Sequence, residues 1–219
     1  MLSAALQVQE SVSHKNDYYS IAAKGPMLDR VYSMRYRSYS AKDYIEKNET
    51  HRFMDQYDSK SNCTSFLTYY KNRPFGSVRT CVFNPELQNT VPVMEVFGKE
   101  IGEAIGYRST FVEANKLVID PSFQDKAGVV ARLNIYENIV NTIVEHDAKY
   151  LVAGIRTEHI KFYKFMHFDV MSEERSYPEL NFKTVLVICH DVNAFRDRIY
   201  SRTRRSEVVS DTLFSNVSG

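Results

Sequence analysis

The sequence of 219 residues contains no tryptophan, only 3 cysteines, and few residues that break secondary structure, with 8 glycines and 6 prolines. This scarcity excludes collagen-like chains and low-complexity chains rich in glycine and proline. Cys63, Cys81 and Cys189 are odd in number and lie in apolar, strand-like segments. They predict reduced, buried thiols and argue against a disulfide framework or a zinc site.

Long apolar runs and an excess of one charge are also missing. No stretch of about 18 uninterrupted apolar residues occurs, so no transmembrane helix is expected. Residues 1–16 lack the cationic start of a signal peptide, and we therefore expect a cytoplasmic protein. The 28 Lys and Arg residues nearly balance the 27 Asp and Glu residues. The net charge thus gives no reason to expect nucleic acid as a partner.

Apolar residues, in contrast, are plentiful. Hydrophobic residues make up 43% of the chain and aromatic residues 13%, which is enough for a large core and excludes a disordered chain. No internal repeat divides the sequence, so one domain over residues 17–200 is expected after an N-terminal tail, residues 1–16. Residues 201–219 are basic and Ser-rich and predict a flexible C-terminal tail.

Hydrophobic periodicity in the first two thirds of the sequence predicts both strands and helices. Residues 17–24 predict a first strand, and Pro26 opens a helix. The segments CTSFLTYY, NRPFG and SVRTCVF predict a β-hairpin. A short helix is expected near residues 94–105, STFVEANKLVID predicts another strand that ends at Pro121, and apolar residues at helical spacing predict a long helix over 126–146.

The last third alternates between strands and helices. YLVAGI predicts a short buried strand, and TEHIKFYKFM predicts a helix with Thr157 as its cap. FKTVLVICH predicts a further strand before a final helix from Asp191. The whole order favours an α/β domain with antiparallel strands early and a strand-helix-strand arrangement late.

This order of elements resembles the GNAT acyltransferase fold. The match is sharpest in FYKFMHF, which is similar to the pattern F-Y-x-x-x-G-F with His167 in the glycine position. VIDPSFQDKAGVVA is similar to the phosphate-binding loop of that fold, although Gln124 and Gly128 are one residue too far apart. The resemblance implies a mixed, mainly antiparallel sheet with flanking helices and a V-shaped split between strands 111–119 and 150–155.

A narrower resemblance is to the acyl-homoserine-lactone synthases and the N-acyl amino acid synthases, which take acyl chains from acyl carrier protein. It rests on MRYRSY, FMDQYD, GSVRT and VEANKL, taken in this order. The late segment SYPELNFKTVLV is more similar to the N-acyl amino acid synthases. The family's Glu-x-x-Arg pattern is Glu-x-x-Lys here. The residues that match the family patterns are Arg35, Tyr39, Asp55, Asp58, Arg79, Glu113 and Lys116.

The resemblance implies that a fatty acyl group is transferred to the amine of an amino acid. Glu113 is then the candidate general base, although it can instead be a structural carboxylate paired with Arg79 or Lys116. The planar fork of Arg79 suits an acceptor carboxylate, or else it clamps the loop of Asp55 and Asp58 to the sheet. Arg35 is either a helix-face charge or a third member of that network. The acceptor-binding candidates are Arg35, Asp55, Asp58, Arg79 and Lys116.

On the donor side, the resemblance matches Tyr163 to a catalytic tyrosine near the leaving sulfur, and the alternative is a core tyrosine. Donor-binding candidates are Leu117, Val118 and Ile119 along the split, and Lys126, Gly128, Val129 and Arg132 at the following helix. No metal and no permanent cofactor are expected. The implied donor is the phosphopantetheine thioester of an acidic acyl carrier protein, or of coenzyme A, and basic residues such as Lys161 and Lys164 suit the carrier.

Three other functions stay open. A lactone synthase and a coenzyme A-dependent N-acetyltransferase belong to the same class. A binding protein that senses acyl ligands without turnover belongs to another. If the protein is an enzyme, Glu113 should lie in an open cavity near Arg79. If it is a sensor, that cavity should be blocked, or the Glu113 carboxylate should be sealed in a salt bridge.

Overall fold

The computed structural model describes residues 18–123 and 129–201. The expected tails, residues 1–16 and 201–219, lie outside the described residues apart from Ser201. The strands are β1 (Tyr18–Ala22), β2 (Cys63–Tyr70), β3 (Arg73–Phe83), β4 (Phe111–Ile119), β5 (Tyr150–Ile155), β6 (Phe168–Val170), β7 (Arg175–Ser176) and β8 (Lys183–Cys189). The helices are α1 (Pro26–Ser40), α2 (Val93–Ala104), α3 (Val129–Glu145), α4 (Ile160–Phe165) and α5, residues 192–201.

The strands form one mixed sheet in the order β1-β2-β3-β4-β5-β8-β6, with β7 paired to β8. Only β4 and β5 run parallel to each other; the other paired strands of the described residues are antiparallel. The prediction of a mixed, mainly antiparallel sheet with flanking helices is therefore confirmed.

The sheet splits in its centre, between β4 and β5. The two strands pair from Phe111 opposite Tyr150 to Glu113 opposite Val152, yet both continue beyond that point. The register of β4 against β3 shifts where Lys116 adopts a φ of 48°. Such a bulge bends its strand and increases the local twist. The V-shaped gap consequently opens beyond Glu113.

Helices cover both faces of the sheet. Val82 and Val112 pack against the apolar side of α3, whereas their neighbours Cys81 and Phe111 pack against α2. Since successive side chains of a strand point to opposite faces, α2 and α3 lie on opposite sides. Helix α1 contacts the α2 face through the cluster that includes Val118. Among the described residues, no helix combines the length and the hydropathy needed to cross a membrane.

The region around α4 differs in detail from the prediction. Thr157 is not a side-chain cap; it begins a 3-10 turn, Thr157–His159, that precedes α4. The short strands β6 and β7 were not predicted, because two or three residues carry no readable periodicity. His167 adopts the left-handed conformation, with a φ of 67°, and Arg198 donates a hydrogen bond to its ring. The tight turn after α4 thus persists without glycine.

Candidate active site

The polar site is built on a short loop that precedes β2. Asp55 and Asp58 form a reciprocal capping pair around the 3-10 turn Gln56–Ser59. The backbone N–H of Tyr57 donates to Asp55 Oδ1 over 2.9 Å, and the backbone N–H of Asp55 donates to Asp58 Oδ2 over 3.0 Å. This arrangement leaves carboxylate oxygens of both residues directed toward the sheet.

Two buried arginines hold this loop. Arg79 on β3 donates from Nη1 to Asp55 Oδ1 over 2.6 Å and from Nη2 to Asp55 Oδ2 over 2.9 Å, and its Nη1 lies 3.1 Å from Asp58 Oδ1. Arg35 on α1 is 0% exposed and donates to Asp58 and to Ser65, both over 2.7 Å. The guanidinium of Arg79 therefore clamps the loop of Asp55 and Asp58 to the sheet, which is the second of the two roles that the sequence left open for it.

The charges of this network set the ionisation of the loop. Burial alone would raise the pKa of Asp55, but the hydrogen bond from Arg79 and the charge of Lys116 outweigh it and hold that pKa well below its usual range. Burial is likewise outweighed at Asp58, whose pKa is lowered by Arg35 and Arg79. Both carboxylates are therefore ionised at neutral pH.

Lys116 joins the network because of the bulge. Strand alternation from Glu113 and Asn115 would turn the next side chain to the opposite face, yet the positive φ of Lys116 returns it to the site. Its Nζ lies 2.8 Å from Asp55 Oδ2 and 3.8 Å from the centre of the Phe53 ring. Burial lowers the pKa of Lys116, and the charge of Asp55 opposes that effect.

Glu113 on β4 has a different environment, because neutral groups hold it. The backbone N–H of Val93, at the start of α2, donates to Glu113 Oε2 over 2.8 Å, and Asn115 Nδ2 donates to Glu113 Oε1 over 2.7 Å. The residue is 1% exposed. Burial raises the pKa of Glu113 to about 7, against the lowering effect of these two hydrogen bonds. Within residues 18–123 and 129–201, no salt bridge involves this carboxylate.

A cavity of about 150 Å³ brings four predicted residues together. Asp55, Arg79, Glu113 and Lys116 line it, whereas Arg35 and Asp58 support it from behind. Its other walls combine aromatic, acidic and hydroxyl side chains with the backbone of the split. They are formed by Tyr39, Phe53, Gln56, Tyr57, Pro92, Glu95, Asn115, Gly154, Tyr177, Pro178, Glu179, Leu180, Phe182 and Thr184.

The predicted donor residues lie elsewhere. Leu117 and Ile119 pack against the core on the α3 face, and Val118 packs against the core under α1. Tyr163 packs on the α3 face, with its ring 5.1 Å from that of Phe168. Burial raises the pKa of Tyr163 to about 12. The catalytic role assigned to Tyr163 stays a prediction.

The start of α3 holds the remaining donor candidates. Lys126 and Gly128 lie outside the described residues, and α3 begins at Val129. Arg132 is exposed on that helix. These residues therefore stay predictions as well.

Sequence reasoning missed several residues of the cavity. Asn115 had a readable signal, because the second residue after Glu113 on a strand faces the same side. Glu95 accepts hydrogen bonds from Tyr57 Oη over 2.7 Å and from Gln56 Nε2 over 2.8 Å. That contact joins α2 to the loop across a long stretch of sequence, so no local pattern could reveal it.

One protein family matches most of this chain, and several solved structures share its fold. The family model of the N-acyl amino acid synthase FeeM matches residues 30–190. The structure of FeeM itself, from uncultured soil microbes, superposes with a TM-score of 0.68 at 14% identity, over 82% of this chain and 93% of that chain. None of the curated proteins compared with the chain matches it.

Acyl-homoserine lactone synthases share the fold. The coenzyme A-dependent synthase BjaI, solved with MTA, has a TM-score of 0.62 at 12% identity, over 85% of this chain and 88% of that chain. The synthase LasI has a TM-score of 0.57 at 12% identity, over 81% and 95% of the two chains. These likenesses establish the GNAT-like fold, and the family model spans most of the chain. The chain belongs to the N-acyl amino acid synthase FeeM family and is an N-acyltransferase.

Proposed function

We propose that this enzyme transfers a fatty acyl group from an acyl carrier protein thioester to the amine of an amino acid, with Glu113 as the general base. The observation that carries the proposal is the Glu113 carboxyl itself. It is buried, lines the cavity, has a pKa of about 7 and is held by two neutral donors. A base with such a pKa is matched to proton transfer at neutral pH.

The proposed reaction removes two protons from the amine nitrogen and replaces the C–S bond with a C–N bond. An α-amine has a pKa near ~8, so Glu113 can take its proton at little cost. The neutral nitrogen then bonds to the thioester carbonyl carbon while the carbonyl electron pair moves to oxygen. When the C–S bond breaks, the proton that the now positively charged nitrogen loses passes to the leaving thiolate, and the products are an amide, the free carrier thiol and protonated Glu113.

Lys116 is the group that we assign to the acceptor carboxylate. A lysine ammonium has three N–H donors, and the contact with Asp55 uses one of them. Arg79, in contrast, directs Nε, Nη1 and Nη2 to Asn115 and Asp55. In the proposal, Arg35, Asp55, Asp58 and Arg79 act on the acceptor by fixing the wall of its cavity.

Carrier protein is the proposed donor because basic side chains are exposed near α4. Arg132, Lys161 and Lys164 are all exposed, and they suit the acidic surface of a carrier. Lys126, Gly128 and Val129 complete this donor surface in the proposal, with the thioester lying along Leu117, Val118 and Ile119 and with Tyr163 near its sulfur. Use of a carrier protein also fits a cytoplasmic enzyme whose catalytic domain is residues 17–200.

A reconstitution tests the function. The purified protein is mixed with a long-chain acyl carrier protein thioester, or with the matching coenzyme A thioester, and with each of the 20 amino acids, and amides are measured by mass spectrometry. An N-acyl amino acid formed by the native protein and not by Glu113→Gln supports the proposal. A lactone product, an acetylated amine, or a thioester that binds without being consumed would each replace it with the corresponding alternative.

A further inference from the structure

Two hydroxyl groups converge on the cavity wall that faces the split of the sheet. Thr184, on β8, is 2% exposed, and its Oγ1 has no hydrogen-bond partner among the described residues. Tyr177 follows β7 and lines the same cavity, and no hydrogen bond joins its hydroxyl to the described part of the chain. Buried polar groups in proteins are nearly always hydrogen-bonded, and the described part of the chain leaves the Thr184 hydroxyl on the cavity wall available for a hydrogen bond to a ligand.

Both hydroxyls lie close to Gly154 on β5. A Cβ built on Gly154 would lie 3.0 Å from Tyr177 Oη and 3.6 Å from Thr184 Oγ1. Both oxygens are therefore within 3.6 Å of one position above the β5 backbone. A methyl group at this position would be closer to the Tyr177 hydroxyl than an ordinary van der Waals contact, so the hydroxyl would have to shift by a few tenths of an ångström. The Tyr177 ring makes an edge contact with Phe97, with ring centroids 6.2 Å apart.

The position of Gly154 relates this hydroxyl pair to Glu113. Pairing between β4 and β5 ends at Glu113 opposite Val152, and Gly154 lies two residues further along β5, where the strands have separated. Val152 packs on the α2 face, so Gly154 faces that side too. The hydroxyl pair and the base thus lie on one face of the split.

The groups that line the cavity differ in charge. Asp55, Arg79 and Lys116 form an ionic cluster, which suits the charged acceptor. Tyr177 and Thr184 contribute neutral hydroxyl groups, and the carboxylates of Glu95 and Glu113 lie close enough to act on Tyr177. Burial raises the pKa of Tyr177 well above its ordinary value, and the charge of Glu113 raises it further, so the hydroxyl stays a proton donor. Neutral donors suit an oxygen that gains negative charge during the reaction.

We propose that the hydroxyl groups of Tyr177 and Thr184 donate hydrogen bonds to the thioester carbonyl oxygen and stabilise the oxyanion of the tetrahedral intermediate. The inference rests on the proposed function. When the amine nitrogen bonds to the carbonyl carbon, the carbonyl electron pair moves to the oxygen that faces the two hydroxyls. When the C–S bond breaks, that pair restores the carbonyl, and the hydroxyl protons never leave their oxygens.

Conservative substitutions test this assignment in the full-length enzyme. Tyr177→Phe and Thr184→Val remove the hydroxyls and keep the packing, whereas Thr184→Ser keeps the donor. Loss of one preorganised donor is expected to lower kcat about 100-fold to 1000-fold, with KM for both substrates little changed. Thr184→Ser is expected to stay close to the native rate. A merely structural role would not give this separation of kcat from KM.

Gly154→Ala supplies a second readout. The added methyl group needs the space next to the Tyr177 hydroxyl, so it should lower kcat in the native enzyme. In the Tyr177→Phe background the hydroxyl is gone, and the same substitution should cost little further activity. Such non-additivity is the signature of coupled sites.

The outcomes separate this inference from the proposed function. If the native enzyme forms the amide and Tyr177→Phe and Thr184→Val keep native kcat with native melting temperatures, the inference is wrong and the function stands. A raised KM with unchanged kcat would instead show that the hydroxyls bind the acyl acceptor or the acyl donor in the ground state, which also overturns the inference. If the native enzyme forms no amide, the proposed function itself fails.

Discussion

Asn115 donates a hydrogen bond to Glu113, two residues earlier on β4, over 2.7 Å. The side-chain carbonyl of the same asparagine accepts from Arg79 Nε over 2.8 Å. Because one end of the amide must accept and the other must donate, Arg79 fixes the orientation in which Asn115 stabilises the ionised base. The ion-pair clamp and the base therefore form one connected system.

The first prediction concerns Asn115. Replacing it with Ala removes a donor to the ionised form of Glu113, so the pKa of Glu113 should rise above its value of about 7. The rising limb of kcat/KM against pH should move to higher pH, and the native and variant rates should converge in alkaline buffer. A rate reduced by the same factor at every pH would show that Asn115 acts on something other than this proton.

The second prediction concerns the base. Glu113→Gln keeps the shape of the side chain and removes its basicity, so turnover at saturating substrates should fall about 100-fold to 10,000-fold. The loss is measured as single-turnover amide formation at pH 7. Because Gln does not titrate, the limb near pH 7 should also disappear. Native turnover in this variant would remove Glu113 from the mechanism.

The third prediction is the thermodynamic counterpart of the raised pKa. The pKa of Glu113 rises from 4.5 to about 7 on folding, so the folded state binds more protons between these values. The stabilisation is full below pH 4.5 and is lost as pH rises through 7. Glu113→Gln removes this dependence. Its free energy of unfolding, relative to the native protein, should therefore increase by about 3 kcal/mol from pH 4.5 to pH 8.

Urea unfolding of both proteins at several pH values measures this difference. Asp55, Asp58 and the other carboxylates titrate in both proteins, so their contributions cancel in the comparison. A constant offset between the two proteins across the whole pH range would contradict the raised pKa.

Fold and site differ in how far the sequence predicts them. Apolar alternation and helical spacing are local, and they predicted β4, α3 and the strand-helix order of the domain. The charged residues of the site followed from the resemblance of FMDQYD, GSVRT and VEANKL to the acyl-homoserine-lactone synthases and the N-acyl amino acid synthases. The sequence did not decide which of the alternative partners each residue contacts, because pairing depends on the distances created by the fold.

Lys116 shows the limit most clearly. Strand alternation places it on the face opposite to Glu113, and only the bulge at its positive φ brings it beside Asp55. Tyr177 is a similar case, since it follows a strand of two residues and no periodicity marks it. Both contacts are products of irregular backbone, which sequence patterns do not encode.

The fourth prediction compares two arginines. Arg35 is buried and paired with Asp58. Arg35→Met removes a positive charge that stabilises the buried Asp58 carboxylate, so it should lower the free energy of unfolding by about 3–5 kcal/mol. Arg52 pairs with Asp29 at the surface over 3.3 Å, and Arg52→Met should cost less than about 1 kcal/mol. Denaturant midpoints of both variants measure the difference. Equal effects would argue against a structural role for the buried pair.

The last prediction concerns the acyl donor. Lys161 and Lys164 are exposed on α4, where an acidic carrier protein is proposed to dock. Charge reversal of both to Glu should raise the KM for the carrier thioester about 10-fold and leave kcat nearly unchanged, because docking charges act mainly on association. The KM for the matching coenzyme A thioester should change much less. Lys99→Glu, on α2 at the other face of the sheet, is the matched control.

Since the Debye length is about 8 Å at physiological ionic strength, added salt should weaken the native carrier reaction and have little effect on the reversed variant. Equal sensitivity of both donors to salt and to charge reversal would assign the enzyme to coenzyme A.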